Sequence, residues 1–194
     1  MKKLLLCLLL FTGLAAYSQT SAVSVTQISN AKSAFGGEMS EIMQHMKAYT
    51  LAIANQMPED KYDFRPSKDD TVRSFGEQLK HLIYNNNHQA ENLLMTKTFD
   101  GPELIKGMEA YEEIKMTKAE IIDKLSKSFD KLIARLEEMT DADFDTPFTL
   151  PFVKTPKSLR VMAMFVRDHI THHRAEIIVY LRMNGIEPAF YRPF

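Results

Sequence analysis

The sequence predicts an all-α protein, and specifically a four-helix bundle, from three observations. Apolar residues recur at steps of three and four in four separate segments, which is the period of a helix face. Ser or Thr precedes three of these segments, where its oxygen can accept an orphan backbone N–H. Neither an alternating strand pattern nor an internal repeat accompanies them. We expect long helices near residues 37–57, 73–96, 117–139 and 156–184, and no sheet of more than two short strands.

The first predicted helix has a single apolar stripe and ends before Pro58, which cannot continue a helix. Residues 59–71 contain a further proline and several charges, so they are expected to form an ordered loop, with Tyr62 and Phe64 as core side chains. The stripe consists of Met39, Ile42, Met43, Met46, Thr50, Ile53 and Met57.

The second and third helices each begin with the signature of a capping box, Ser74 with Glu77 and Thr117 with Glu120. Residues 98–116 separate these helices and carry an Asp-Gly-Pro sequence and a second glycine, which predicts a long crossover connection. The third helix has the clearest seam, formed by Ile122, Leu125, Phe129, Leu132, Leu136 and Met139.

The fourth helix is expected to follow a loop over residues 141–154, which contains two prolines and three phenylalanines. Thr155 is a suitable N-cap, and Pro156 is tolerated at the first helical position because its missing N–H has no partner there. Gly185, followed by Pro188, predicts the end of this helix.

The N-terminus has the layout of a secretory signal peptide: two lysines, an apolar run from Leu4 to Leu14, and small residues up to Ser18. We therefore expect residues 1–18 to be a signal peptide, residues 19–36 a flexible leader and residues 37–194 the bundle domain. The apolar run is too short to span a bilayer, so the mature protein should be periplasmic or secreted without stable membrane insertion.

Composition excludes several classes of function. The single cysteine, Cys7, lies inside the predicted signal peptide, which leaves the mature chain without disulfides, zinc-thiolate sites or a catalytic thiol of its own. The formal net charge of −1, with acidic and basic residues interspersed, provides no basic field for nucleic acid. A small-molecule substrate is the expected partner. The sequence does not fix the oligomeric state, and a homodimer is one form that it allows.

A histidine pair is the strongest chemical feature of the sequence. His169 and His173 are one turn apart on the apolar stripe of the fourth helix, whereas His172 falls to one side of it. Buried imidazoles need hydrogen bonds or coordination, and a shared metal ion satisfies two at once. The alternative is that one or both are core histidines satisfied by hydrogen bonds. A third ligand must come from another helix, and helical spacing leaves both His81 and His88 of the second helix as candidates.

Four longer motifs of the chain are distinctive in combination: the segments from Ser74 to Leu82, His169 to Arg174 and Tyr180 to Ile186, and the loop from Met57 to Pro66. Together they resemble the DinB family of metal-binding four-helix bundles. The resemblance implies that His81, His169 and His173 hold one divalent metal, zinc or nickel, and His88 is a departure that could replace His81. Relatives include bacillithiol- and mycothiol-dependent transferases and isomerases.

Carboxylates often orient the imidazoles that ligate a metal. Glu77, one turn before His81, and Asp168 and Glu176 on the fourth helix are the candidates for this role, with solvated surface charges as the alternative reading. His45 lies off the apolar stripe of the first helix and is expected to be solvated.

Three neutral imidazoles leave a coordination position open, which favours a metal-dependent enzyme, either a hydrolase or a transferase that uses an exogenous small thiol. Protease activity is not expected, because Ile170 stands where an HExxH motif requires glutamate. A non-catalytic metal-binding or ligand-binding envelope protein is the alternative. A haem-binding bundle is a third reading, and it lacks a CxxCH motif.

Overall fold

The computed structural model describes residues 31–68, 71–96, 100–149 and 155–191. The predicted signal peptide and most of the predicted leader lie outside these residues. Within them the predicted all-α four-helix bundle is confirmed, and no described helix is both long enough and apolar enough to cross a membrane. The helices are α1 (Ala34–Gln56), α2 (Phe75–His88), α3 (Gly101–Glu112), α4 (Lys118–Glu138), α5 (Asp141–Asp145) and α6 (Leu159–Met183).

The core lies where the four long helices α1, α2, α4 and α6 meet, because each of them turns its apolar stripe inward. The predicted stripe of α1 is buried at four of its methionines and at Ile53, and the predicted seam of α4 is buried from Leu125 to Leu136. The largest fully buried side chains include Phe75 of α2, Phe129 of α4 and Phe144 of α5. The bundle therefore has one continuous core.

The predicted helix termini are largely confirmed. Both capping boxes are present: the Ser74 and Thr117 side chains accept backbone N–H groups from the residues three positions later, and Glu77 and Glu120 accept in return. Gly185 has a φ of 71° and ends α6 in a Schellman motif, in which the Gly185 N–H donates to the Arg182 carbonyl and the Ile186 N–H to the Leu181 carbonyl.

Helix α6 begins at Leu159 rather than at Pro156, because the residues before it form a short strand. Strand β1 (Pro147–Phe148) pairs antiparallel with strand β2 (Lys157–Ser158), which makes Ser158 the N-cap residue of α6. The expected loop over residues 141–154 contains strand β1 and also the five-residue helix α5, which Thr140 caps.

The crossover connection is not an irregular loop, because it contains the twelve-residue helix α3. The Asp-Gly-Pro sequence that resembles a turn starts this helix instead: the Asp100 side chain accepts the Glu103 N–H, and Pro102 lies in the first turn. A π-helical segment, Gln89–Thr96, continues α2 toward the connection. Helix α3 returns along α2 and packs against it.

Helix α1 begins at Ala34, slightly before the domain boundary expected at residue 37. Ser33 is buried, and its N–H donates to the Met139 carbonyl at 3.0 Å. The end of the predicted leader is thus joined to the C-terminal end of α4.

Two adjacent glycines near the start of α1 provide a matched test of this packing. A Cβ on Gly36 would overlap the Leu136 carbonyl oxygen of α4, whereas a Cβ on Gly37 would meet nothing within 4 Å. We expect Gly36→Ala to lower the free energy of unfolding by about 1–3 kcal/mol, because α1 must move off α4. Gly37→Ala should raise it by about 0.5–1 kcal/mol, since alanine loses less conformational entropy in a helix. Urea unfolding followed by circular dichroism measures both, and equal effects would contradict the close approach.

Candidate metal centre

Three histidines from two antiparallel helices meet at one point in the structure. His81 of α2 directs its Nε2 atom to within 3.2 Å of His169 Nε2, and His173 Nε2 lies 3.2 Å from the same atom. All three ligand atoms lie within 4.8 Å of one another. Because His169 and His173 are one turn apart on α6, the packing of α2 against α6 brings the third imidazole to the pair.

Of the two candidates on α2, the structure places His81 in this cluster and leaves His88 outside it. His88 lies seven residues later, about 10 Å further along the helix. Its pKa is lowered by burial, with a partial offset from Glu103 and Glu91. The arrangement agrees with the residue assignment that the DinB resemblance implies.

His81 is held in place by a chain of ionic contacts from helix α3. Its Nδ1 atom lies 2.8 Å from Glu112 Oε1, and the Arg73 Nε donates to both carboxylate oxygens of Glu112 at 2.9 Å. The Lys80 ammonium also donates to the backbone carbonyl of Glu112. Since a carboxylate only accepts hydrogen bonds, the proton of the His81 ring belongs on Nδ1, and Nε2 is left with its lone pair.

His173 is held by a second chain, which ends on its own helix. Its Nδ1 atom lies 2.7 Å from Gln78 Oε1, and the Gln78 amide nitrogen donates to Glu176. The Glu176 carboxylate fixes the orientation of the glutamine amide, because only the NH₂ group can donate to it. His173 therefore also carries its proton on Nδ1 and presents an Nε2 lone pair.

The donor set fits a divalent cation. The Nε2 atoms of His81 and His173 both face Nε2 of His169 at 3.2 Å, so three ring nitrogens converge on one small volume. A cation satisfies all three lone pairs, and nitrogen ligands 2.0–2.1 Å from a tetrahedral ion stand about 3.3 Å apart. The observed separations of 3.2 Å match this value. The predicted ligand residues are thus brought together, and coordination itself remains a prediction.

The surroundings of His169 and His173 favour their neutral imidazole forms. Burial, followed by the neighbouring His81, lowers the pKa of His169 to about 4 and that of His173 to about 2. Burial by itself raises the pKa of Glu112, but its hydrogen bonds with His81 and Arg73, together with the Arg73 charge, outweigh this effect and lower the pKa. Neutral His169 and His173 beside an ionised Glu112 match the protonation states that metal ligation requires.

The carboxylates predicted to orient the ligands are only partly involved. Glu176 takes part through Gln78 rather than directly, since its nearer oxygen lies 3.9 Å from His173 Nδ1. Glu77 binds Arg65 and caps α2, and Asp168 pairs with the adjacent Arg167 at the surface. These two carboxylates therefore have the structural and surface roles that were the alternative reading.

The roles of Glu112, Arg73 and Gln78 were not predicted from the sequence. The carboxylate that contacts His81 lies 31 residues away on α3, and no helical spacing within α2 could indicate it. The available signal was the helix itself: Asp100 with Glu103 three positions later, and Pro102 in the first turn, form a helix start. An α3 helix packed on α2 explains why His81, which lies opposite the main apolar face of α2, is only 5% exposed.

The lowered pKa values predict how the metal-free protein responds to acid. In the unfolded chain the imidazoles titrate near 6.5, and in the folded protein His169 titrates near 4. The unfolded state thus binds more protons as the pH falls from about 6.5 to 4, so the stability that neutral histidines contribute is present above pH 6.5 and is lost through this window. Urea midpoints of the chelator-treated protein at pH 7.5 and pH 5 should show this loss, and His173→Phe should reduce it. If His173→Phe shows the same midpoint difference between pH 7.5 and pH 5 as the wild type, the lowered pKa of His173 would be contradicted.

The structure is a four-helix bundle with a crossover helix, and its three converging histidines could hold a metal ion. The sequence model of the DinB superfamily matches residues 43–177. The chain belongs to the DinB superfamily.

Two solved structures from Bacillus subtilis share its fold. The DinB-like protein YjoA is 20% identical, with a TM-score of 0.61 over 80% of this chain and 98% of its own. YfiT, described as a probable metal-dependent hydrolase with an unusual four-helix bundle topology, is 17% identical, with a TM-score of 0.61 over 88% of this chain and 95% of its own. Among curated proteins, none matches the sequence.

Proposed function

We propose that this protein binds one divalent metal ion through His81, His169 and His173 and uses it to hydrolyse a small-molecule substrate. The observation that carries the proposal is the convergence of three Nε2 atoms, with His169 Nε2 at 3.2 Å from each of the other two. The Nδ1 atoms of His81 and His173 are already engaged by Glu112 and Gln78. An ion with three imidazole ligands and an open position lowers the pKa of a coordinated water toward neutrality.

Several features support a hydrolase. YfiT, which shares the fold, is described as a probable metal-dependent hydrolase. Imidazole ligands suit both zinc and nickel, and these are the ions we propose. Neighbouring side chains would orient the ligand imidazoles: Arg73 and Glu112 hold His81, and Glu176 and Gln78 hold His173. The non-catalytic alternative, a metal-binding envelope protein, requires the same three ligands and differs only in the reaction.

We also propose that the protein is exported, because the N-terminal sequence has the three parts of a secretory signal peptide. This location bears on the reaction. Small cytosolic thiols are scarce outside the cytoplasm, so a thiol-dependent transferase is less suited to an exported protein than a hydrolase that uses water.

Metal analysis of protein purified without a histidine tag tests the proposal directly. We expect close to one equivalent of zinc or nickel, hydrolysis of members of a panel of small esters, amides and lactones, and loss of that activity in chelator. Adding back one equivalent of metal should restore it. Stoichiometric metal without hydrolysis would favour the non-catalytic alternative, and absence of bound metal after incubation with excess zinc or nickel would contradict the site.

A further inference from the structure

Asn85 places a buried amide next to the three-histidine cluster. It lies one turn after His81 on α2 and is 5% exposed. Its Nδ2 atom is 3.0 Å from the His81 carbonyl oxygen, 3.2 Å from His81 Nε2 and 3.5 Å from the Met108 sulfur. The contact with the carbonyl oxygen, which only accepts, assigns the NH₂ group to this position. Asn85 is therefore a hydrogen-bond donor directed at the ligand atom of His81.

The Asn85 amide has a different set of hydrogen-bond acceptors once His81 coordinates an ion. Its two hydrogens are shared among a carbonyl oxygen, a ring nitrogen and a sulfur, which is a weak acceptor. Coordination uses the lone pair of Nε2, so Asn85 loses that acceptor. A buried N–H without a good acceptor costs about 1–3 kcal/mol. An oxygen atom in the open position of the site would replace the lost acceptor, whereas a thiolate sulfur would replace it poorly.

We infer that Asn85 is a substrate-binding residue that donates a hydrogen bond to an oxygen atom of the molecule occupying the open position of the metal centre. The site therefore selects ligands that coordinate through oxygen, such as carbonyl, carboxylate or hydroxamate groups, over small thiols. This inference rests on the proposed function and narrows it, because it favours hydrolysis of a carbonyl compound over transfer of a thiol.

Apolar side chains near Asn85 and near His169 define the rest of the substrate. Met108 of α3 contacts its amide, and the Phe165 ring of α6, which is 40% exposed, lies 6.2 Å from the His169 ring. Met108 lies one turn before Glu112 on α3, and Phe165 lies one turn before His169 on α6. Each helix therefore places an apolar side chain next to a residue that forms or supports the metal centre. The substrate class is a small carbonyl compound with an apolar substituent.

Ligand binding to the cobalt-substituted protein tests this inference without an activity assay. Visible absorption of bound Co²⁺ would be titrated with acetohydroxamate, which coordinates through oxygen, and with 2-mercaptoethanol, which coordinates through sulfur. We expect Asn85→Ala to weaken hydroxamate binding about tenfold, the effect of one lost hydrogen bond, and to change thiol binding less than threefold. Asn55→Ala removes an exposed asparagine of α1 and is the matched control, for which neither affinity should change.

Unchanged hydroxamate affinity in Asn85→Ala, or equal weakening of both ligands, would overturn the inference. Failure of the wild-type protein to bind Co²⁺ would be seen before any ligand is added, and it would contradict the metal centre itself. If Asn85→Ala does not fold, the side-chain amide of Asn85 in the ¹⁵N-labelled wild-type protein, loaded with diamagnetic Zn²⁺, gives a second readout. Its Nδ2 proton resonances should move downfield with acetohydroxamate, and their insensitivity to it would also overturn the inference.

Discussion

Replacement of His169 by alanine is expected to abolish stoichiometric metal binding. His169 Nε2 lies 3.2 Å from the Nε2 atoms of both other histidines, so it is the shared member of the cluster. Removing it leaves two imidazoles, from α2 and α6, without the third ligand that holds them on one ion. Metal content of the tag-free protein after dialysis, measured by mass spectrometry, should fall from one equivalent to near zero.

The adjacent residue His172 provides a matched control. It lies on the same helix, but its side chain is 66% exposed and its Nε2 atom is 3.2 Å from Glu176 Oε1, on the solvent side of α6. His172→Ala should keep one equivalent of metal. His88→Ala should do so as well, because His88 lies outside the cluster. Full metal content in His169→Ala, or loss of metal in either control, would show that the ion is bound elsewhere.

Replacement of Glu112 by glutamine or alanine should weaken metal binding about 10- to 100-fold, as is usual when the partner of a ligating imidazole is removed. Glu112 fixes the protonated nitrogen of His81 and is held by Arg73 in return. The neutral glutamine keeps one acceptor and loses the charge, so its effect should be smaller than that of alanine. Competition with a chromophoric chelator measures the affinity.

Glu113→Gln is the control for this experiment, because Glu113 is the next residue on the chain and is exposed. Its metal affinity should equal that of the wild type. Urea unfolding of each metal-free variant separates positioning from stability, since a residue with only a structural role would alter the unfolding midpoint and leave the affinity of the folded protein unchanged. Wild-type affinity in Glu112→Ala would exclude the positioning role.

The fold was predictable because its signals are local. Capping boxes at Ser74 and Thr117 and the glycine terminus at Gly185 depend on residues within one or two turns of each other. The start of α6 was predicted three residues too early, because a pairing between Pro147–Phe148 and Lys157–Ser158 takes precedence over the suitable N-cap at Thr155. Such a pairing depends on contacts that a single-sequence pattern does not contain.

Only part of the candidate site was predictable from the sequence. The i and i+4 spacing of His169 and His173 follows from the helix alone, whereas helical spacing on α2 leaves both His81 and His88 as candidates, and only the family resemblance favours His81. The missing information was α3, which covers the face of α2 that carries His81 and supplies Glu112. Residues that orient a ligand from a distant segment have no spacing rule, so their identity required the tertiary structure.

The separation of the histidines along the chain has a consequence for the order of assembly. His81 and His169 are 88 residues apart, whereas His169 and His173 share one helix turn. An unfolded chain must close a long loop to bring the first pair together, and the entropy of that closure opposes it. The isolated α6 segment can offer at most two imidazoles, so tight metal capture awaits docking of α2 on α6. In the proposed exported protein, the ion would then be selected from the compartment in which folding is completed.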